Sequence, residues 1–176
     1  RRAYSAPLPG GTLPPGSIPK YQSTLLVPPA MPRAAKRKVA GNKNIDYYEI
    51  AIRQFNQQIL PPGLPATTVW GYGPAFAGAT PAIFNAPSLT IEAKHGTPVR
   101  VKWINQLTDA QGNYLPHLLA VDPTLHWANP PGGTEGRDMR PMFDVTPPPY
   151  TGPVPMVTHV HGSAGVGDES DGYAEA

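Results

Sequence analysis

Near the C-terminal end of the sequence two histidines stand one residue apart, His159-Val160-His161, and Gly162 follows at once. On an extended chain their α-carbons lie about 7 Å apart and both rings point the same way, because side chains alternate along a strand. Two imidazoles so placed can share one metal ion, or can each serve one of two neighbouring ions. Neutral imidazole suits zinc, copper, iron and nickel. A carboxylate-rich stretch comes next, Asp168-Glu169-Ser170-Asp171-Gly172-Tyr173, with Glu175 beyond it. A carboxylate beside a bound metal orients a ligand histidine or relays protons. Away from a metal the same stretch is a solvated turn. His95, His117 and His126 have no second histidine at such spacing and read as structural or exposed. Trp103 and Trp127 read as packing residues.

The elements that must position the pair are strands. In residues 45–59, Tyr48, Ile50 and Ile52 alternate with Tyr47, Glu49, Ala51 and Arg53, a period of two with β-branched and aromatic side chains. Residues 67–72 form a second candidate. Residues 88–94 and 98–105 read as a hairpin about His95-Gly96, with Val99, Val101 and Trp103 on one face opposite Arg100 and Lys102. Residues 118–121 and 124–127 give shorter candidates, before a Pro-rich loop through 128–153. The last strand is 154–162, with Val157, His159 and His161 on one face and Met156, Thr158 and Val160 on the other. Short strands separated by Pro and Gly turns, without helical windows, define an all-β antiparallel sandwich or barrel.

Composition supports that division. The 176 residues include 25 prolines and 18 glycines, a density that leaves few windows for a helix. Residues 1–44 read as an extended Pro-rich arm, and residues 45–176 as the domain proper. The apolar run Leu25-Leu26-Val27 suggests that part of the arm docks on a surface. Arg33, Lys36, Arg37, Lys38 and Lys43 make the arm basic, but no aromatic residue interleaves with them, so the run reads as a solvated face and not as a nucleic-acid site. The net charge of +2 selects no partner class. There is no cysteine, which excludes disulfides and thiolate metal sites within the chain. No run of about 18 apolar residues occurs, so no segment reads as a transmembrane helix.

Together these residues resemble a known family. Val157-Thr158-His159-Val160-His161-Gly162, followed by Asp168-Glu169-Ser170-Asp171-Gly172-Tyr173-Ala174-Glu175-Ala176, resembles the first copper motif of multicopper oxidases. It is most similar to the branch that holds bilirubin oxidase, spore-coat laccase and phenoxazinone synthase. Upstream, Val69-Trp70-Gly71-Tyr72 resembles an early strand of that branch. Residues 89–93 and 99–105 resemble its following hairpin, and Ile18-Pro19-Lys20-Tyr21 in the arm is reminiscent of it. The family's turn before that hairpin is replaced here by Ala79-Thr80-Pro81-Ala82 and Asn85-Ala86-Pro87-Ser88. The resemblance covers about residues 45–176.

The resemblance implies a cupredoxin-like Greek-key β-sandwich, incomplete in this chain and completed by another polypeptide. It implies that His159 binds a type 2 copper, that His161 binds one of a pair of type 3 coppers, and that Asp171 is an acid that helps move protons to reduced oxygen. The type 1 copper, whose site includes a cysteine in the family, is expected in a second polypeptide with the remaining copper ligands. The implied activity is oxidation of small aromatic substrates, phenols or aminophenols, coupled to reduction of dioxygen to water. A secreted or periplasmic location is implied in the same way. Thr158-His159-Val160-His161-Gly162 also resembles the first metal motif of zinc-dependent amidohydrolases. A non-enzymatic copper-binding β-domain is the third reading.

Overall fold

The computed structural model describes residues 13–39, 43–76, 78–79, 83–125, 128–129 and 145–172, with the side chains of 36–39 and 43 outside that description. Its regular elements are the strands β1 (Ala35–Val39), β2 (Lys43–Gln57), β3 (Thr67–Pro74) and β4 (Val99–Asn105), with two short 3-10 turns at Pro15–Ser17 and Asp168–Ser170. The chain is all-β, and the sheet is open.

Strand β2 organises everything else. Its first residues pair antiparallel with β1, from Ala35↔Tyr47 to Val39↔Lys43, and its later ones pair antiparallel with β3, from Ile50↔Pro74 to Gln57↔Thr67. Along its other edge β4 runs parallel, from Asp46↔Val99 to Ile52↔Asn105. A strand paired on both edges and covered on its faces should read as a nearly continuous apolar run. Ile45, Tyr47, Tyr48, Ile50, Ala51 and Ile52 are accordingly all buried.

The pleat sorts these side chains. Tyr48, Ile50 and Ile52 share a face with their cross-strand partners Val101, Trp103 and Tyr72. Tyr48 and Ile50 pack with Met31 and Leu89, while Ile52 packs with Leu107 and Val154. Tyr72 touches both clusters, and its ring meets that of Trp103 edge to face at 5.4 Å. Burial pushes the Tyr72 phenol above its usual pKa.

The other face explains the alternation in Trp70-Gly71-Tyr72-Gly73. Trp70 and Tyr72 face the apolar cluster, so Gly71 and Gly73 lie on the opposite side. The segment at residues 83–85 crosses that side directly over them. A Cβ on Gly71 would strike the Asn85 carbonyl and the Phe55 ring, and one on Gly73 would strike the Ile83 carbonyl and the Phe84 ring. The glycines are therefore a close-approach device.

Several expectations are corrected. The arm is not all peripheral: residues 35–39 form β1, and Met31 is buried in the core. Leu25 and Val27 stay 86% and 80% exposed, so among the described residues that run does not dock. Arg33 reaches into the sheet, pairing with the buried Asp46 at 3.3 Å and donating from Nε to the Tyr48 hydroxyl at 3.2 Å. The hairpin about His95-Gly96 keeps its turn, with Gly96 at φ +78° and the Thr97 amide donating to the Lys94 carbonyl. However, 88–94 is no ladder partner of β4. That segment instead meets the arm through a parallel bridge, Ala30↔Thr90. Residues 118–121 and the described part of 124–127 are turns and irregular chain. Residues 154–162 form no ladder either, and Val154 is held by the Asn105 side-chain amide, which donates to its carbonyl at 2.8 Å.

Candidate metal centre

The histidine pair sits at the end of a segment that leaves the core. Val154 is buried and Met156 packs half-buried against the Ile52 cluster, so the inward half of the expected alternation holds there. Beyond Met156 the chain rises out of the protein. Val157 is exposed, Val160 is 73% exposed, and both His159 and His161 are exposed. A turn closes the segment, with the Ser163 amide donating to the Val160 carbonyl and Gly162 at φ +76°. An extended segment needs a ladder partner to be a strand, and none lies opposite 154–162 among the described residues.

The two rings nevertheless converge. Their centroids are 5.7 Å apart and their planes stand 89° to one another. His159 Nδ1 lies 3.1 Å from the Val157 carbonyl oxygen. A carbonyl only accepts, so Nδ1 carries the proton and donates, and Nε2 of the neutral ring keeps its lone pair. A backbone carbonyl holding the far nitrogen is the usual way in which a metal-binding imidazole is oriented.

The acidic stretch folds back onto His159. Asp168–Ser170 forms a 3-10 turn capped by Asp171, whose backbone amide donates to the Asp168 carbonyl. Gly172 follows at φ +80° and lies against the His159 imidazole, where a Cβ would collide with Cε1 and Nδ1. Asp171 is thus the chain neighbour of the residue on which the ring rests, and its own side chain is exposed. Tyr173 and Glu175 lie outside the described residues. Gly172 was not singled out by sequence reasoning as a positioning residue. Its signal is the Asp-Gly step, which favours a positive φ.

As donors, the two imidazoles fit copper chemically, one of them with its tautomer already set. They do not make a complete site. Among the described residues no group of three histidine, aspartate or glutamate side chains gathers as a metal site would require. The other histidines are apart from the pair. His95 is exposed in its turn, and His117 bonds through Nε2 to the Ala128 carbonyl at 2.8 Å beside the Tyr150 ring. His126 and Trp127 lie outside the described residues. No helix among the described residues is long and apolar enough to cross a membrane.

The described residues thus carry two exposed imidazoles close together on an all-β segment. Comparison with known proteins identifies the family. The chain is 37% identical over 136 residues to a laccase of Haloferax volcanii, which covers 75% of this chain and 18% of that protein. It is 29% identical over 160 residues to a laccase of Bacillus subtilis, covering 91% of this chain and 23% of the relative. It is 33% identical over 135 residues to multicopper oxidase LPR1 homolog 3 of Oryza sativa subsp. japonica, covering 77% of this chain and 18% of the relative. The chain belongs to the multicopper oxidase family. It spans about a fifth of the length of these curated relatives. No family model matches the chain, and no solved structure matches it.

Proposed function

We propose that this chain contributes His159 and His161 to the copper cluster of a laccase-like oxidase, His159 as a type 2 and His161 as a type 3 ligand. The observation that carries the reading is the imidazole pair itself, with rings 5.7 Å apart at right angles and His159 Nδ1 tied to a backbone carbonyl. Two exposed donors at that separation can serve adjacent ions, which a shared oxygen-reducing cluster needs. The remaining ligands and the type 1 copper belong to further polypeptide, a continuation of this chain or a second one. The exposed histidines and the open sheet support that arrangement.

In the proposed reaction the bound coppers supply electron transfer from a small aromatic substrate, a phenol or aminophenol, to dioxygen. The role of this chain is positional. Val157 holds the His159 tautomer, and Gly172 sets the tilt of its ring. Asp171 stands one residue from that contact, exposed and able to pass protons from solvent toward oxygen being reduced to water. The zinc hydrolase reading would place the motif at the end of an early strand of an α/β barrel, whereas the described residues before it carry an open β-sheet and 154–162 form no ladder.

Oxygen uptake with a phenolic substrate tests the proposal. The purified protein, with every co-purifying polypeptide retained, is expected to consume dioxygen, and His161→Ala is expected to abolish uptake. Asp171→Asn is expected to slow it by roughly tenfold or more. Undiminished uptake in His161→Ala would refute the assignment.

A further inference from the structure

The sheet stops at β4, but its apolar face does not close there. On β2, Tyr48 and Ile50 are each 1% exposed. On the same face one strand out, Val99 is 36% and Trp103 42% exposed. A layer that ended at this strand would turn polar at its margin, and this one ends on an indole.

The backbone of β4 is open on the same side. The Asp46 amide donates to the Pro98 carbonyl, and the Gln106 amide donates to the Ile52 carbonyl. The N–H and C=O of one residue share an edge of the strand, and successive residues alternate between edges. Residues 98, 100, 102, 104 and 106 therefore bond to β2, and Val99, Val101, Trp103 and Asn105 direct their backbone groups to the outer edge. Among the described residues β4 pairs with β2 alone, and no backbone bond reaches that outer row.

Such a row faces water or takes another strand. Edges built to face water are short, bulged or carry a charge pointing inward. Strand β4 runs for seven residues in unbroken register, and its charges, Arg100 and Lys102, lie on the face away from Val101 and Trp103. Both are exposed, and neither forms a salt bridge among the described residues. Glu49, in register with Lys102, accepts from the Tyr47 hydroxyl at 2.9 Å.

We propose that the outer edge of β4 receives a strand of further polypeptide, apolar beside Val101 and Trp103 and acidic beside Arg100 and Lys102. Backbone bonds supply the attachment, and the alternation of side chains on the two faces selects the segment. The family's length points to the occupant: this chain spans about a fifth of its relatives, so a protein of their length carries most of its residues beyond these. The proposal rests on that part of the proposed function which calls for further polypeptide, and on no copper ligand.

Amide hydrogen exchange on the natively purified protein, with every associated polypeptide retained, tests the edge. The Val101 and Trp103 amides are expected to exchange as slowly as those of Lys102 and Ile104, within about tenfold, because both rows are then bonded. An alternating pattern, with Val101 and Trp103 faster by more than that, leaves the edge in water and overturns the proposal. Carbodiimide coupling of the same sample identifies the occupant, since it joins the Lys102 amine to a carboxylate in contact with it. A product linking Lys102 to an acid outside residues 1–176 is expected. Links only to acids within residues 1–176, which a second copy or this chain's own fold would give, overturn the proposal, as does the absence of any Lys102 product. Neither readout depends on copper, so a failure of the copper assignment leaves both results standing.

Discussion

The His159 imidazole rests against the backbone of Gly172, in the space that a side chain on residue 172 would occupy. Ring and acidic turn are therefore one unit: the turn that presents Asp171 also fixes where His159 points.

Gly172→Ala follows from that contact. Its Cβ would strike the ring, and residue 172 sits at φ +80°, which side chains disfavour. The substitution is expected to lower copper occupancy while leaving the sheet intact. Far-ultraviolet circular dichroism and metal analysis on one sample check both halves. Full occupancy would show that the contact does not set the ligand.

The sheet makes a separate prediction at Gly73. An alanine there must displace the Ile83 backbone or the Phe84 ring. Overpacking of this kind costs about 1–3 kcal/mol. Urea unfolding of Gly73→Ala measures it, and Gly63→Ala serves as the comparison, since its Cβ meets nothing within 4 Å. Both glycines should cost something, because Gly63 has φ +92°, but only Gly73 should perturb the Phe84 environment.

The Arg33–Asp46 pair should respond asymmetrically. Asp46 is 4% exposed, whereas the Arg33 side chain is partly in water. Arg33→Met strands a buried carboxylate, and Asp46→Asn merely releases a guanidinium to solvent. The urea midpoint is expected to fall further for Arg33→Met. Equal losses would mean that the pair contributes only as a surface contact.

Asp109 gives a pH dependence. Hydrogen bonds from the Asn113 side chain, the Asn113 amide and the Gln111 amide hold its carboxyl below the usual 3.8. A pKa lower in the folded than in the unfolded chain contributes stability above the unfolded value, and this is lost as pH falls through the folded one. The difference in urea midpoint between wild type and Asp109→Ala should thus be constant at neutral pH and shrink below 3.8. A difference that grows in acid would contradict the sign.

Much of this was legible in the residues. The alternation Tyr48, Ile50, Ile52 located β2 to within two residues at each end, and Val99, Val101 and Trp103 located β4. Pairing was not legible. Periodicity tells which side chains share a face, but β4 could have closed a hairpin with 88–94 as readily as run parallel to β2. What decides is Tyr48 and Ile50 seeking Val101 and Trp103, a long-range match. Strand β1 was missed because Ala35-Lys36-Arg37-Lys38-Val39 carries three charges and no alternation. The closeness of His159 and His161 was evident from spacing, and their rings do lie 5.7 Å apart. Their strand was not: the sequence prescribes extension, and the edge that would make 154–162 a strand is absent from the described residues.

Copper content tests the central claim most directly. The protein is purified natively with all associated polypeptides, and metals are quantified in wild type, His159→Ala and His161→Ala. Several copper equivalents in wild type are expected, with a loss in each variant. Zinc in place of copper, or copper unchanged by removing either histidine, would contradict the account.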